Sequence, residues 1–199
     1  RRGTEAGIKY VILAAASAAF LLFGMALVYA ELGTMRFDAL AHAPIDLLEN
    51  KVVLLGAAMM FAAICFKLSI VPFHLWTADV YQGAPTPVTA FIATAAKVGV
   101  FAVLARYFAV ENSYVANSLH LFVAVTAAAS MLTGNVLALK QRDIKRLLAY
   151  SSIAHMGYLS VAFLASGDTT NDAVAVYIAA YAAATVGAGL RNTRSSAGW

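Results

Sequence analysis

The chain has 199 residues, of which 62% are hydrophobic and 12% charged, and its formal net charge is +4. Soluble domains carry about 25% charged residues, so half that fraction at a mean hydropathy of +0.77 excludes a soluble globular domain and predicts an integral membrane protein. The cations gather at the ends of apolar runs, where topology accounts for them, so the positive balance points to a lipid bilayer and not to nucleic acid.

The expected fold is all-α, a polytopic membrane helix bundle of about six transmembrane helices over residues 9–30, 51–74, 87–108, 118–139, 146–166 and 173–190. The opening Arg1-Arg2 before an apolar run resembles a secretory leader. However, Tyr10–Ala30 carries no charge and reaches ~31 Å as a helix, the thickness of a hydrocarbon core. It reads as a transmembrane helix, and a start without methionine predicts that the chain lies inside a longer protein. Glu5 and Lys9, four apart at the helix start, read as a surface ion pair. Glu31–Asn50 reads as a polar connection.

The second span contains Lys67 and, five residues on, Pro72. Counted from Val52, Lys67 lies ~22 Å into a helix, where an ammonium costs about 2.5–3.5 kcal/mol. A charge kept at that cost has a task. Pro72 has no N–H, so the carbonyl of Leu68 is expected to lose its helical partner. Broken helix at membrane depth occurs where it lines a wet cavity or is buried in protein, and transporters place ion sites there. His74, on a face similar to that of Lys67, is a candidate relay because imidazole titrates near neutral pH. Asp79 reads as a cap or as part of a cytoplasmic entrance. Cys65 is the single cysteine, which excludes an intrachain disulfide, a four-cysteine iron–sulfur site and a zinc knuckle.

Thr77–Pro87 is dense in turn formers, and Pro87 suits the first turn of the third span. Lys97 follows ~15 Å further in, near the bilayer midplane. It shares a helical face with the small residues Thr86, Ala90, Ala93 and Thr94, which predicts that it points into the bundle. Two lysines on neighbouring helices can hold and release protons. In the fifth span, Ser151, His155 and Tyr158 line one stripe that can hold water, with His155 as a second candidate relay. Asn171 or Asp172 is expected to cap the last span. The segment 191–199 is an atypical polar tail beyond the membrane domain 1–190, expected to be an ordinary cytoplasmic end or a truncation artefact.

Lysine and arginine set the orientation. With the N-terminus in the cytoplasm, nine of the 14 cations fall on that side: Arg1, Arg2, Lys9, Lys140, Arg142, Lys145, Arg146, Arg191 and Arg194. Arg36, Lys51 and Arg106 fall on the other side, and only Lys67 and Lys97 remain inside spans. No dinucleotide fingerprint is present, because Asn192 stands where a third glycine should follow Gly187 and Gly189.

The run from Lys67 through Pro72-Phe-His-Leu-Trp76 to Tyr81-Gln-Gly-Ala-Pro-Thr-Pro87 carries a specific resemblance, as do Thr94-Ala-Ala-Lys-Val98 and Asp143-Ile-Lys-Arg146 continuing to Tyr158. The chain resembles subunit N of bacterial respiratory complex I, the proton-pumping NADH–quinone oxidoreductase, from its first residues to about Gly187. The resemblance implies part of an antiporter-like fold of about fourteen helices with inverted repeats. It implies that Lys67 is the broken-helix lysine of a proton half-channel, paired with a glutamate on a preceding helix, and that Lys97 is the central lysine. It implies an enzyme subunit, a translocase with no redox site or cofactor of its own, in a bacterial plasma membrane. NADH, FMN, iron–sulfur clusters and quinone would then belong to partner subunits. The other readings are a subunit of a multisubunit cation/proton antiporter and a truncated product that contributes only helix packing.

Overall fold

The computed structural model describes residues 2–37, 39, 50–108, 113–162, 164 and 170–196. Among these the secondary structure is helical throughout: α1 (Arg2–Leu32), α2 (Lys51–Leu68), α3 (Leu75–Gly83), α4 (Thr86–Ala93), α5 (Ala95–Phe108), α6 (Ser113–Leu139), α7 (Ile144–Ala162) and α8 (Thr170–Ser196). Four described stretches are long and apolar enough to cross a membrane: Gly3–Leu32, Lys51–Leu68, Thr86–Leu104 and Leu121–Leu139, with Asp172–Ala188 a shorter apolar helix. Large side chains such as Leu22, Phe23, Leu132 and Val176 stand exposed on their outer faces, as they do on helices that meet lipid.

α1 packs along α2 and α3, α6 along α7, and α8 against α4 and α7, while α3 also meets α7. Small residues set the two tightest pairings. A Cβ added at Gly24 would lie 2.5 Å from the Gly56 carbonyl, and one at Gly134 would lie 2.6 Å from the Ala154 nitrogen. Lipid tails are as apolar as leucine, so helices in a membrane gain from close backbone approach of this kind. Cys65, Leu68, Phe101, Met156, Leu159 and Tyr181 form a buried core where α2, α5, α7 and α8 meet.

The second span differs from the sequence expectation. It is not one helix over 51–74: α2 ends at Leu68, and Ser69 takes a left-handed conformation with φ 63°. The break lies ahead of Pro72. The Ser69 and Ile70 amides donate to the Phe66 and Cys65 carbonyls at 3.0 and 2.9 Å, so the helix is closed by a Schellman-type cap before the proline is reached. The stretch from Thr77, expected as a turn, is mostly helix α3; the turn is confined to Ala84 and Pro85. The third span is also interrupted, at Thr94 between α4 and α5. α8 starts at Thr170, ahead of the expected caps, and Asp172 sits in its first turn facing the positive end of the helix dipole. That helix continues to Ser196, through much of the stretch read as a polar tail. Most of the connection 31–50 lies outside the described residues, as do residues 197–199. At its ends, Gly33 turns the chain out of α1 at φ +67°, and Asn50 caps α2 through its side-chain oxygen while donating to Glu31 at 2.9 Å.

Candidate functional site

Lys97 is the most deeply buried charged side chain described, at 1% exposure. Its position follows from the interruption at Thr94. The Thr94 hydroxyl donates to the Ala90 carbonyl at 2.7 Å, and the Lys97 amide donates to the Thr94 carbonyl at 3.0 Å, so the helix is interrupted one turn before the lysine. The ammonium then enters the bundle and donates to Ser152 Oγ on α7 at 2.7 Å. Tyr181 OH on α8 donates to the same oxygen, also at 2.7 Å. Lys97 meets no carboxylate among the described residues. Its polar neighbours are hydroxyls, which can accept and pass on a proton but cannot neutralise a charge.

His155 lies one turn above Ser152 on α7. Its Nδ1 is 2.7 Å from Tyr177 OH, and its ring stands near those of Tyr158, Tyr177 and Tyr181. Tyr177 and Tyr181 are four apart on α8, so they project from one face toward α7. The stripe expected on α7 is therefore divided. His155 turns inward, Tyr158 is exposed and its oxygen accepts from Asn135, and Ser152 rather than Ser151 meets the lysine.

Lys67 occupies the last turn of α2, where a cation meets the negative end of the helix dipole. On this chain it is exposed, with no ion pair among the described residues. The break beside it is held on two sides. Ser130 Oγ of α6, fully buried, accepts from the Val71 amide at 2.9 Å and donates to the Thr126 carbonyl at 2.6 Å. Trp76 of α3 stacks on Phe66 and donates to its carbonyl at 3.3 Å. His74 precedes α3, and its Nδ1 is buried, turned toward Pro72 without closing a hydrogen bond. No hydrogen bond joins His74 to Lys67, or Lys67 to Lys97, among the described residues.

The Asp143-Ile-Lys-Arg146 motif has a structural role at one end of the bundle. Asp143 caps α7, accepting from the Lys145 and Arg146 amides at 2.8 and 3.3 Å, and its other oxygen accepts from Gln82 at 3.0 Å. Lys145 donates to the Ala84 carbonyl at the end of α3. Arg146 reaches Asp79 at 3.1 Å, and Asp79 also meets Lys9, which pairs with Glu5 at 2.7 Å. Burial raises the Asp143 carboxyl, but the two amides and Gln82 outweigh it and hold the group below the usual carboxylate range. The collar thus ties the starts of α1 and α7 to α3.

The described site thus holds a broken helix next to one lysine and an interrupted helix that carries another lysine into the bundle among hydroxyls. The family model described as NADH:quinone oxidoreductase/Mrp antiporter, TM, matches residues 1–190. The chain belongs to that family of multi-pass membrane proteins. It is 53% identical over 94% of its length to NADH-quinone oxidoreductase subunit N of Ectopseudomonas mendocina, covering 38% of that protein. It is 50% identical over 90% of its length to the subunit N of Methylococcus capsulatus, covering 37%. In respiratory complex I from Thermus thermophilus, a chain 38% identical superposes with a TM-score of 0.73 over 93% of this chain and 40% of that one. The chain therefore spans 38% or less of the length of these two curated relatives.

Proposed function

We propose that this chain is a proton-carrying part of the membrane arm of an NADH–quinone oxidoreductase, the subunit N type, in a bacterial plasma membrane. It would work beside the other membrane subunits of that complex, with NADH, FMN, iron–sulfur clusters and quinone bound by partner subunits. Lys97 is the central proton carrier, Lys67 the carrier at the helix break, and His155 and His74 are relays. The supporting observation is the Lys97 ammonium, buried within hydroxyls and without a carboxylate among the described residues. Hydroxyls can both accept a proton and pass one on, which suits them to the neighbourhood of a proton carrier. An identity of 53% to a subunit N favours this reading over a cation/proton antiporter subunit.

The test is Lys97→Ala, and in parallel Lys67→Ala, in the full-length subunit of the assembled complex. Proton pumping should fall on the order of a hundredfold, the scale of a positioned proton-transfer group, while the complex remains in the membrane. Lys97→Arg should fail as well, since guanidinium keeps its proton. Pumping at the wild-type ratio of protons to NADH in Lys97→Ala would overturn the role.

A further inference from the structure

α3 has nine residues and is jointed at both ends, by the break that starts at Ser69 and by Ala84 and Pro85 after it. Helices shorter than about 12 residues hold little stability of their own, so the orientation of α3 is set by what grips it from the side. That grip centres on one carboxylate. Asp79 Oδ2 is 3.4 Å from Lys9 Nζ on α1, and its Oδ1 is 3.1 Å from Arg146 Nη1 on α7. The same Arg146 nitrogen donates to Gln82 Oε1 at 3.1 Å. One turn before Asp79, Trp76 lies against Tyr10, the neighbour of Lys9, with ring centroids 5.5 Å apart. Two adjacent residues of α1 therefore meet two residues three apart on one face of α3. Trp76 in turn donates to the carbonyl of Phe66, next to Lys67. Exposed ion pairs are weak singly and gain when several charges form a network.

Arg146 also stands on the helix that holds the second lysine. Ser152 lies six residues on, ~9 Å along α7, and accepts from Lys97. Lys67 is thereby tied to the Lys97 site through Phe66, Trp76, Asp79 and Arg146, a mechanical path with no proton step in it. We propose that Asp79 is a positioning residue: shared between Lys9 and Arg146, it fixes α3 against α7 and so sets the spacing between Lys67 and the Ser152–Lys97 pair. The inference rests on both lysines being proton carriers. Misplacing a reacting group by about 1 Å can cost on the order of a hundredfold in rate. Ion pairs that hold two carriers in register therefore matter more for pumping than for stability.

The experiment uses the full-length subunit in the assembled complex and reads the pumping rate per assembled complex beside the melting temperature. Asp79→Ala should lower that rate on the order of tenfold, with a melting temperature close to that of the wild type. Asp79→Glu, which keeps the charge, should recover most of the rate. Glu5→Gln, which weakens a pair within α1 alone, should pump at the wild-type rate. A density map of Asp79→Ala should show α3 moved against α7, and an unmoved α3 overturns the inference. Wild-type pumping per complex in Asp79→Ala, even with a lower melting temperature, also overturns it, as does a loss in Asp79→Glu equal to that in Asp79→Ala. Unchanged pumping in Lys67→Ala and Lys97→Ala defeats the underlying reading, whereas its loss there with normal pumping in Asp79→Ala defeats the positioning role alone. If Asp79→Ala does not assemble, Asp79→Asn, which keeps the shape of the side chain, is read by the same criteria. If neither assembles, a density map of the unmodified complex decides. Asp79 on Arg146 together with Trp76 on the Phe66 carbonyl supports the role, and the lack of either contact overturns it.

Discussion

Ser152 holds the position on which the rest of the polar string depends. It accepts from Lys97 on one side and from Tyr181 on the other, so one small side chain on α7 joins α5 to α8. A hydrogen bond to a charged group contributes about 1.5–3 kcal/mol, and its loss in the interior leaves the ammonium uncompensated. Ser152→Ala should therefore lower proton pumping toward the level of Lys97→Ala and reduce the thermal stability of the assembled complex. Ser151→Ala should leave both at wild-type values. Parallel pumping assays and melts of the two variants check the contrast, and equal effects of the two would remove Ser152 from the string. The sequence reading of α7 put Ser151 on one stripe with His155 and Tyr158, whereas Ser152 is the serine that meets the lysine. Adjacent residues on a helix lie about 100° apart, and only the packing of α5 and α8 shows which of the two faces the lysine.

At the scale of elements, two interruptions do the positioning. The break after α2 exposes backbone groups that an unbroken helix would satisfy internally, and the Val71 amide is taken by Ser130 and the Phe66 carbonyl by Trp76. Pro72 made an interruption legible, because a missing N–H cannot be hidden in a helix. Its onset at Ser69 was not legible, since a serine in the left-handed region is uncommon and here depends on the caps closed around it. Ser130 lies on a different helix and gave no local signal of its part in the break. Ser130→Ala should leave the Val71 amide unbonded at a cost of about 1–3 kcal/mol, read as a lower melting temperature of the complex. Ser130→Thr, which keeps the acceptor, should lose less. The interruption at Thr94 has no proline to announce it. Its trace in sequence is a threonine whose hydroxyl binds back to the preceding turn, a contact known to bend helices.

Across the whole molecule, the polar collar fastens the starts of α1 and α7 to α3 at one end, on the side that the lysine and arginine bias assigns to the cytoplasm. Exposed ion pairs contribute little singly, about 0–1 kcal/mol, but the Asp143 cap adds about 0.5–2 kcal/mol. Because the folded state holds Asp143 below its ordinary value of 3.8, its contribution is complete above that pH and is lost as the pH falls through the lower folded value. Asp143→Asn keeps a capping oxygen and loses the charge, so its stability should be less sensitive to acid than that of the wild type. Melting curves from neutral pH down to about 3 check the sign, and an identical acid dependence in the two proteins would contradict it.

The sequence alone determined that this is a helical membrane chain, that two lysines lie within apolar spans, and that a helix breaks between Lys67 and His74. These follow from the expense of charge in hydrocarbon and from backbone hydrogen bonding, both written residue by residue along the chain. The tertiary structure decided which hydroxyl holds Lys97, which helices brace the break, and which cations share Asp79 on α3. The decisive relations join residues far apart in sequence, such as Lys97 with Ser152 and Val71 with Ser130. No local pattern encodes them, because a hydroxyl's partner is set by how neighbouring helices are rotated and packed, and glycine contacts such as Gly24 on Gly56 set that packing.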